Sequence, residues 1–379
     1  MNLLQSIKRS IKIKRGGVDL TFLVLVLILL AFGLVMMFSA SYAMAFYRFD
    51  GDSYHFISRQ VIFAVVGLVA MWVASMVDYH IFHRLAWPIM GVCLVLLVLV
   101  LFMGGFNNAA RWIIIGGFTL QPSEVAKFAL VVLFAHMMSI NFNKMKDWRY
   151  GLAPYLGVMG VLAVLLILEP HLSCTVLICL IGATMMFVGG TDLKWFAVGI
   201  GVVAVLLVVV ANSETLISYG GERIEAWLDP FADNNTGYQT RQSLYAIASG
   251  GLLGTGVGNS RQKYLFLPEP HNDFIFSVCC EELGFVGAVI IILLFALLIW
   301  RGFVIAARAR DRFGTLMAVG LVAQVGYQAV LNIAVVTNTV PNTGISLPFF
   351  SYGGTALMML LGQMGVLLSI SRQAVVEKE

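Results

Sequence analysis

The sequence predicts an all-α polytopic membrane protein that forms one domain over residues 1–379 and crosses the membrane with about ten helices. The composition supports this class, because 60% of the residues are hydrophobic and only 12% are charged, whereas about 25% are charged in a typical soluble domain. Long apolar runs separated by short polar segments support it as well, since a membrane-spanning helix needs about 20 apolar residues.

The first helix is predicted to follow a cytoplasmic basic tail over residues 1–19. The apolar run after Asp19 is longer than the roughly 7–15 residues of a signal-peptide core, so we expect an uncleaved first helix. Further helices are predicted wherever an apolar run of spanning length recurs. The ten predicted spans are 20–42, 56–77, 85–103, 123–140, 152–168, 173–188, 195–211, 274–300, 313–336 and 354–370.

The distribution of basic residues predicts that both termini lie in the cytoplasm. Cytoplasmic loops carry an excess of Lys and Arg, and most of the 24 basic residues fall inside when the N-terminus is placed there. An even number of spans then returns the C-terminus to the same side. The basic residues left on the outer side are Arg48, Arg59, Arg111, Lys127, Arg223, Arg241, Arg261 and Lys263.

Two segments on the predicted outer side are candidates for function. Residues 212–272 form a large extracellular loop that is too polar to span the membrane, and long loops are commonly lids or binding surfaces. Its apolar stretches 244–247 and 250–253 indicate short helices at the membrane surface. Residues 337–353 form an extracellular motif loop between the last two spans. We therefore expect the functional site to face outward.

The segment 267–274, LPEPHNDF, holds the strongest candidate for chemistry, because Asp273 lies at the predicted start of a helix. One interpretation is an N-cap, since Asp is favoured there. The other is a general base held at the boundary between water and lipid. For the general base, the helix dipole is expected to lower the pKa of the Asp273 carboxyl and keep it ionised at neutral pH.

Ionisable residues at membrane depth are candidates for function because they are costly to bury. Glu281 and Glu282 lie on the helix that follows, about 12 Å beyond its start. For them we favour an internal ion pair over a catalytic role. Glu124 and Lys127 form an i,i+3 pair that we interpret as structural, with binding of a lipid phosphate by Lys127 and Arg59 as the alternative.

The segment 332–355, NIAVVTNTVPNTGISLPFFSYGGT, is rich in residues that impose an irregular backbone. Its Asn, Thr and Ser side chains can satisfy the backbone groups that such a loop leaves free. The segment contains no strong acid or base, so we interpret it as a scaffold that shapes the outer cavity. Its defining residues are Asn332, Pro341, Gly344, Pro348, Ser351, Gly353 and Gly354.

Three segments in this order, 121–127 (QPSEVAK), 267–274 and 332–355, resemble the SEDS family, named for shape, elongation, division and sporulation. The end of the first helix, 33–41, is also similar, and the resemblance extends over nearly the whole chain. The segments 237–244 (GYQTRQSL) and 258–263 (GNSRQK) are more similar to the division and sporulation branch than to the elongation branch.

The resemblance implies a peptidoglycan glycosyltransferase that polymerises lipid II into glycan strands at the outer face of the bacterial cytoplasmic membrane. It assigns catalysis to Asp273 and implies a class B penicillin-binding transpeptidase as partner, together with other division or sporulation membrane proteins. A nucleic acid partner is not expected. No cofactor is required by the sequence, and a divalent cation, Mg or Mn, is left open.

In the implied reaction, the 4-hydroxyl of the acceptor sugar displaces undecaprenyl pyrophosphate, with Asp273 as the general base. We expect inversion at the anomeric carbon, because no second carboxylate is placed as a covalent nucleophile. Positive charge must stabilise the leaving pyrophosphate. The residues predicted to bind substrate are Arg59, Lys127, Arg241, Arg261, Lys263, Glu269 and His271.

The chain departs from the family pattern at two positions. His171 stands where the family usually has the Asp of a P-D-L-G-T motif, so no role is carried over to it. Asn272 replaces a usual Thr and leaves the assignment of Asp273 unaffected.

Two functions of other classes compete with the polymerase. A lipid II flippase would fit the helix number and the buried acids, but a transporter binds substrate near the midplane with access from both sides. A non-catalytic division scaffold would use the same loops only to recruit partners, and it would tolerate Asp273→Asn.

Overall fold

The computed structural model describes residues 17–103, 111–115, 118–199, 224–231 and 237–374. The described part is a bundle of helices with one short antiparallel hairpin, in the order α1 (Leu20–Arg48), α2 (His55–Met76), α3 (His80–Phe102), β1 (Ile113–Ile115), β2 (Phe118–Leu120), α4 (Pro122–Asn141), α5 (Trp148–Gly151), α6 (Ala153–Leu168), α7 (Leu172–Val188), α8 (Tyr238–Ser249), α9 (Ile275–Ala307), α10 (Arg312–Val336) and α11 (Gly354–Arg372).

The predicted all-α polytopic fold is confirmed. Within the described residues, eight helices are long and apolar enough to cross a membrane, and α7 is a shorter apolar helix. Helices α1 and α9 extend past their predicted ends at 42 and 300. Of the predicted span 195–211, residues 195–199 are helical. Residues 200–211, the tail up to residue 16, and parts 212–223 and 232–236 of the large loop lie outside the described residues.

Small residues allow the helices to pack closely. A β-carbon added to Gly365 of α11 would lie 2.3 Å from the carbonyl oxygen of Met71 in α2, and one added to Gly67 of α2 would lie 2.6 Å from Leu361. Glycine at such contacts lets two helix backbones approach each other, as is common in membrane bundles. The last helix is therefore held along α2, which places the preceding motif loop over one end of the bundle.

The two ends of the described chain meet at the opposite end of the bundle from that loop. Asp19 caps α1 by accepting a hydrogen bond from the amide of Phe22 at 2.9 Å, and its Oδ2 lies 2.9 Å from Nη2 of Arg301 in α9. The amide of Asp19 donates to Oγ of Ser371 in α11 at 3.1 Å. These contacts place the start of α1 and the end of α11 on the same side.

Helix α9 is broken at Gly284, where φ is +67° and ψ is −169°, so the predicted continuous helix 274–300 is corrected. A segment of the large loop fills the break. The amides of Thr255 and Gly256 donate to the carbonyls of Glu281 and Glu282 at 2.9 and 3.0 Å. Beyond the break, the amides of residues 285 and 286 donate to the carbonyls of residues 251 and 252. Non-helical backbone at membrane depth needs such protein partners.

The large loop therefore differs in part from its prediction. The predicted helix at 244–247 lies inside the longer helix α8. Residues 250–253 form the turn that pairs with broken helix α9, instead of a helix at the membrane surface. Hydrogen bonds to a helix more than 25 residues away decide this conformation, so the local apolar pattern could not reveal it.

Substitution of Gly284 by Ala is expected to destabilise the protein. A β-carbon at this position would lie 2.3 Å from the amide nitrogen of Gly254 and 2.6 Å from the carbonyl oxygen of Leu252. Its positive φ is also costly for residues other than glycine, by about 1–3 kcal/mol. Thermal unfolding in detergent should show a lower Tm for Gly284→Ala. The matched control is Gly91→Ala in α3, where an added β-carbon meets nothing within 4 Å. Equal Tm values for the two variants would contradict this.

Candidate active site

A cavity of about 390 Å³ opens where the motif loop meets the hairpin and helices α4, α7, α10 and α11. Sequence segments far apart in the chain form its wall, including residues 111–112, 121–127, 171–177, 272–273 and 344–360. A polar group inside such a cavity is shielded from bulk water, which strengthens its electrostatic interactions. The acidic, basic and imidazole side chains that line it are Arg111, Glu124, Lys127, His171 and Asp273.

Asp273 lies in the wall of this cavity and does not cap helix α9. The N-cap residue is Phe274, and no side chain caps the first turn, so the N-cap interpretation is wrong. The carbonyl of Asp273 accepts a hydrogen bond at 2.7 Å from Nδ2 of Asn332, which also donates to the carbonyl of Ile345 at 2.6 Å. Asn332 thus ties the Asp273 backbone to the motif loop and holds the carboxyl at the cavity.

Gly344 leaves room for the Asp273 carboxyl. This residue of the motif loop has a φ of +68°, and a β-carbon added to it would lie 3.1 Å from Oδ2 of Asp273. Glycine adopts a positive φ without steric cost. The loop can therefore pass close to the carboxyl while leaving that group facing the cavity.

Burial raises the pKa of Asp273 from 3.8 to about 6, and the nearby negative charge of Glu269 acts in the same direction. The positive charge of Arg111 opposes this shift. The predicted lowering by the helix dipole is therefore wrong, because loss of hydration outweighs any favourable interaction with the start of α9. The carboxyl is still mainly ionised at pH 7, and a base with a pKa near the working pH is effective.

Arg111 is the cavity residue whose importance the sequence reasoning missed. One of its terminal nitrogens, Nη2, donates a hydrogen bond to the carbonyl of Pro170. Its positive charge acts on the carboxyls of Asp273 and Glu169, so it lies close enough to influence both acids. The available signals were its predicted outer position and its closeness to the 121–127 motif, and neither distinguishes it from other outer basic residues.

Lys127 and Glu124 form a buried ion pair at the cavity. Nζ of Lys127 lies 2.7 Å from Oε1 of Glu124, and the Lys127 side chain is only 2% exposed. The pair is structural in its geometry, as predicted, but both residues also line the cavity. A ligand phosphate that enters the cavity would meet the Lys127 ammonium on a fixed helical turn.

The chain carries a neutral imidazole at His171, where the family usually has an acid. His171 lies before the first turn of α7, and burial lowers its pKa to about 3, with the charges of Arg111 and Lys127 acting in the same direction. Burial also raises the pKa of its neighbour Glu169 to about 8. Neither residue adds a full negative charge at neutral pH, so Glu124 and Asp273 supply the negative charge among the described ionisable residues of the cavity.

Three of the predicted phosphate-binding residues lie outside the cavity lining. Arg59 is exposed on α2. The guanidinium of Arg241 lies over the ring of Tyr238 at 5.9 Å on α8. Arg261 is exposed, and its backbone amide donates to Oε1 of Glu281 at 2.9 Å. Binding of the outer part of a substrate by these three residues stays a prediction.

Lys263 is located differently from its prediction, which had placed it at a phosphate-binding surface. Its side chain is 2% exposed, and its Nζ lies 2.9 Å from Oε1 of Glu282. The ammonium also donates to Oγ of Ser39 in α1 at 3.1 Å and to the carbonyl of Gly258 at 2.6 Å. It is directed inward because Glu282 needs a counter-charge inside the bundle.

Glu281 and Glu282 thus act together to hold the large loop. Glu281 accepts hydrogen bonds from Oγ of Ser260 at 2.5 Å and from the amide of Arg261. Glu282 accepts from Ser39 at 2.7 Å in addition to Lys263. These contacts agree with the structural role that we favoured for the two acids.

Glu269 and His271 do not line the cavity but fix the segment that leads to Asp273. Oε1 of Glu269 lies 3.0 Å from Nη2 of Arg48, and its Oε2 accepts from Nδ2 of Asn272 at 3.1 Å. The ring of His271 is buried with its centroid 4.4 Å from that of Phe56. Neither is placed to contact a ligand in the cavity, so their predicted substrate contacts are not supported by the geometry.

The motif loop forms one wall of the cavity. Oγ of Ser351 donates to the carbonyl of Asn272 at 2.7 Å, and the amide of Gly353 donates to Oε1 of Gln60 at 3.2 Å. Gly354 packs against an aromatic ring of α2, where a β-carbon would lie 2.2 Å from Phe63. Among the predicted positions, Gly344, Pro348, Ser351, Gly353 and Gly354 line the cavity, whereas Asn332 supports it from α10 and Pro341 lies outside its lining.

Within the described ranges, no group of three or more His, Cys, Asp or Glu side chains is arranged to hold a metal ion.

Fold and site together define a multi-pass membrane protein whose acidic and basic side chains converge on one cavity. Residues 19–375 match the cell cycle protein family of FtsW, RodA and SpoVE. The chain therefore belongs to this family, and the predicted SEDS resemblance is confirmed.

Two relatives illustrate the match. The chain is 40% identical over 367 residues to stage V sporulation protein E of Bacillus subtilis. The aligned region covers 95% of this chain and 98% of that protein. It is 40% identical over 358 residues to the probable peptidoglycan glycosyltransferase FtsW of Geobacter metallireducens, with coverage of 93% and 94%. Sporulation and division proteins are thus among its relatives, in agreement with the predicted branch.

Solved structures share the fold. A chain of a peptidoglycan synthase complex that coordinates polymerisation and crosslinking has a TM-score of 0.76 and 28% identity, covering 94% of this chain and 98% of that chain. The rod shape determining protein RodA of Thermus thermophilus has a TM-score of 0.69 and 27% identity, with coverage of 95% and 98%.

Proposed function

We propose that this protein is a peptidoglycan glycosyltransferase that polymerises lipid II, with Asp273 as the general base. The observation that carries the proposal is the Asp273 carboxyl at a cavity that also contains Arg111 and Lys127. A carboxylate beside two cations suits a reaction that removes a proton from an alcohol and releases a phosphorylated leaving group. The names of the FtsW relatives support the same activity.

In the proposed reaction the acceptor 4-hydroxyl transfers its proton to the Asp273 carboxylate as its oxygen bonds to the anomeric carbon of the donor. The bond between that carbon and the pyrophosphate breaks, and undecaprenyl pyrophosphate leaves with the bonding electrons. One displacement inverts the anomeric centre. Arg111 and Lys127 stabilise the leaving group, because fixed cations in a water-poor site interact strongly with developing negative charge.

The proposed orientation places the cavity on the outer face and both termini in the cytoplasm. The positive-inside distribution supports it, as does the meeting of Asp19 with Ser371 at the bundle end opposite the motif loop. A lipid-linked substrate then enters from the outer leaflet. Septal division or spore cortex synthesis is the proposed setting, and a class B penicillin-binding transpeptidase is the proposed partner, supported by the similarity to a synthase complex.

The direct test combines the purified protein with a candidate class B transpeptidase and labelled lipid II in detergent. We expect glycan strands that appear as a ladder on a gel and that disappear on digestion with a muramidase. If no partner tested yields strands and the protein instead moves lipid II across liposome membranes, the protein is a flippase and not a polymerase. Absence of both activities would favour a scaffold.

The rate of polymerisation is expected to fall below about pH 6. The pKa of Asp273 is raised from 3.8 to about 6, so acid converts the base to its protonated, inactive form. The value of kcat/KM should therefore be about half of its maximum near pH 6, approach a plateau about one pH unit higher, and fall about tenfold for each unit well below pH 6. A profile that stays flat down to pH 5 would correspond to a carboxyl with an ordinary pKa, and would contradict this.

A further inference from the structure

Three polar side chains follow one another along one face of helix α10. Gln324, Gln328 and Asn332 are spaced four residues apart, so they lie one above the other at intervals of about 6 Å. Asn332 is bonded to the carbonyl of Asp273, which anchors the top of the row at the proposed base. Gln324 and Gln328 line the cavity below it.

Neither glutamine side chain has a hydrogen-bond partner among the described residues. Gln324 is 1% exposed and Gln328 is 6% exposed, and no hydrogen bond joins either side chain to the part of the chain that the structure describes. Oε1 of Gln324 is buried without a partner. An unpaired buried polar group costs about 1–3 kcal/mol, and such groups are rare in native proteins. The partner of these amides is therefore expected among the contents of the cavity.

Gln324 lies at a depth where water is scarce, so an amide without a hydrogen-bond partner is especially costly there. It lies at the middle of α10, which runs from Arg312 to Val336, and therefore near the membrane midplane if the helix spans the bilayer. The wall of the cavity that the two amides line also includes apolar side chains, among them Cys174, Leu177, Leu357 and Leu360. The charged residues of the cavity come from other segments, so α10 contributes neutral donors and acceptors to it.

The chemistry of the pocket selects one kind of group. Each Gln side chain offers a carbonyl acceptor and two N–H donors, and part of the cavity wall is apolar. An acetamido group carries an N–H donor, a carbonyl acceptor and a methyl group, so it can pair with a glutamine while its methyl contacts Leu side chains. A phosphate is matched instead by Arg111 and Lys127 of the same cavity, because a glutamine side chain carries no positive charge.

We propose that Gln324 and Gln328 form a subsite that binds the acetamido group of a sugar in the lipid-linked substrate. This proposal rests on the polymerase function, since both sugars of lipid II are N-acetylated. Through Asn332, the subsite is fixed to the same helix face that holds Asp273. It would seat one sugar at a defined distance from the base and select N-acetylated donors or acceptors.

The experiment compares lipid II with an analogue in which hydroxyl groups replace both acetamido groups. For the wild-type protein with its transpeptidase partner, we expect kcat/KM to be at least about tenfold lower for the analogue, the effect of one buried hydrogen bond. Gln324→Leu and Gln328→Leu should each lose roughly tenfold on lipid II and discriminate much less between the two substrates. Dissociation constants for short-chain versions of both lipids are measured in parallel.

Gln363 provides a matched control. It is 2% exposed on α11, its amide oxygen and nitrogen have no hydrogen-bond partner among the described residues, and it does not line the cavity. Gln363→Leu should therefore leave kcat/KM and substrate discrimination unchanged. The Tm of Gln324→Leu should not fall, because the change removes an unpaired buried amide, so its loss of activity cannot be attributed to unfolding.

Different failures are distinguishable. If Gln324→Leu and Gln328→Leu polymerise lipid II with the discrimination of the wild type, the amides bind only water and the subsite is refuted. If the wild-type protein makes no strands, the proposed polymerase function is refuted. The dissociation constants of the two short-chain lipids then test the subsite on their own. Equal affinity of the wild type for both short-chain lipids would then refute it as well.

Discussion

Asp273→Asn is expected to lower the rate of glycan polymerisation by about 10²–10⁴-fold, the usual contribution of a general base. The substitution keeps the size of the side chain and the backbone contact with Asn332, but the amide cannot accept the acceptor proton. Initial rates of strand formation from labelled lipid II, with the transpeptidase partner present, measure the effect. The Tm should stay close to that of the wild type.

Asp50→Asn is the matched control for this experiment. Asp50 is exposed in the connection between α1 and α2, outside the cavity lining, and the chemical change is the same. Full activity of Asp50→Asn beside an inactive Asp273→Asn would identify the cavity carboxylate as the essential group. If Asp273→Asn were fully active, another residue would have to be the base, or the protein would be a non-catalytic scaffold.

Lys263→Met is expected to cause the largest loss of stability, about 3–5 kcal/mol, which is the usual cost of breaking a buried ion pair. The change removes the ammonium that lies 2.9 Å from Glu282 and leaves a carboxylate inside the bundle with only hydrogen-bond donors. The free energy of unfolding in detergent, followed by denaturant titration, measures the effect. Replacement of both partners, Lys263→Met with Glu282→Leu, should recover much of the loss.

Lys194→Met tests whether burial is the cause. Lys194 forms an ion pair at 2.9 Å with Asp192, but its side chain is 62% exposed. Exposed pairs contribute little to stability because water and salt screen them, so this variant should be nearly as stable as the wild type. If Lys194→Met and Lys263→Met lowered the free energy of unfolding equally, the buried ion pair would contribute no more to stability than the exposed one.

The fold class was predictable because it depends on local composition. Apolar runs of spanning length identify helices without knowledge of their neighbours, and these predictions were confirmed throughout the described helices. The break at Gly284 was not predictable in the same way. A glycine inside an apolar helix is common in membrane proteins, and only the paired backbone of residues 251–256 shows that the helix is interrupted.

The site was predictable only in part. Asp273 was identified by the resemblance of its segment, whereas its pKa was predicted in the wrong direction because burial depends on the surrounding loops. Lys263 was grouped with outer cations from its position in the chain, and the structure turns it towards Glu282. The role of Gln324 and Gln328 could not be predicted, because two glutamines four residues apart occur equally on an ordinary exposed polar face of a helix.

The sequence by itself determined the membrane-spanning class, the family and the identity of the candidate base, because hydrophobicity and motifs are properties of contiguous residues. The tertiary structure decided which charges meet: Arg111 and Lys127 reach the cavity of Asp273, whereas Lys263 is paired in the interior. It also decided that two glutamines of α10 lack a hydrogen-bond partner within the part of the chain that the structure describes. These outcomes depend on contacts between distant segments and on the dielectric environment that packing creates, neither of which is encoded in local sequence.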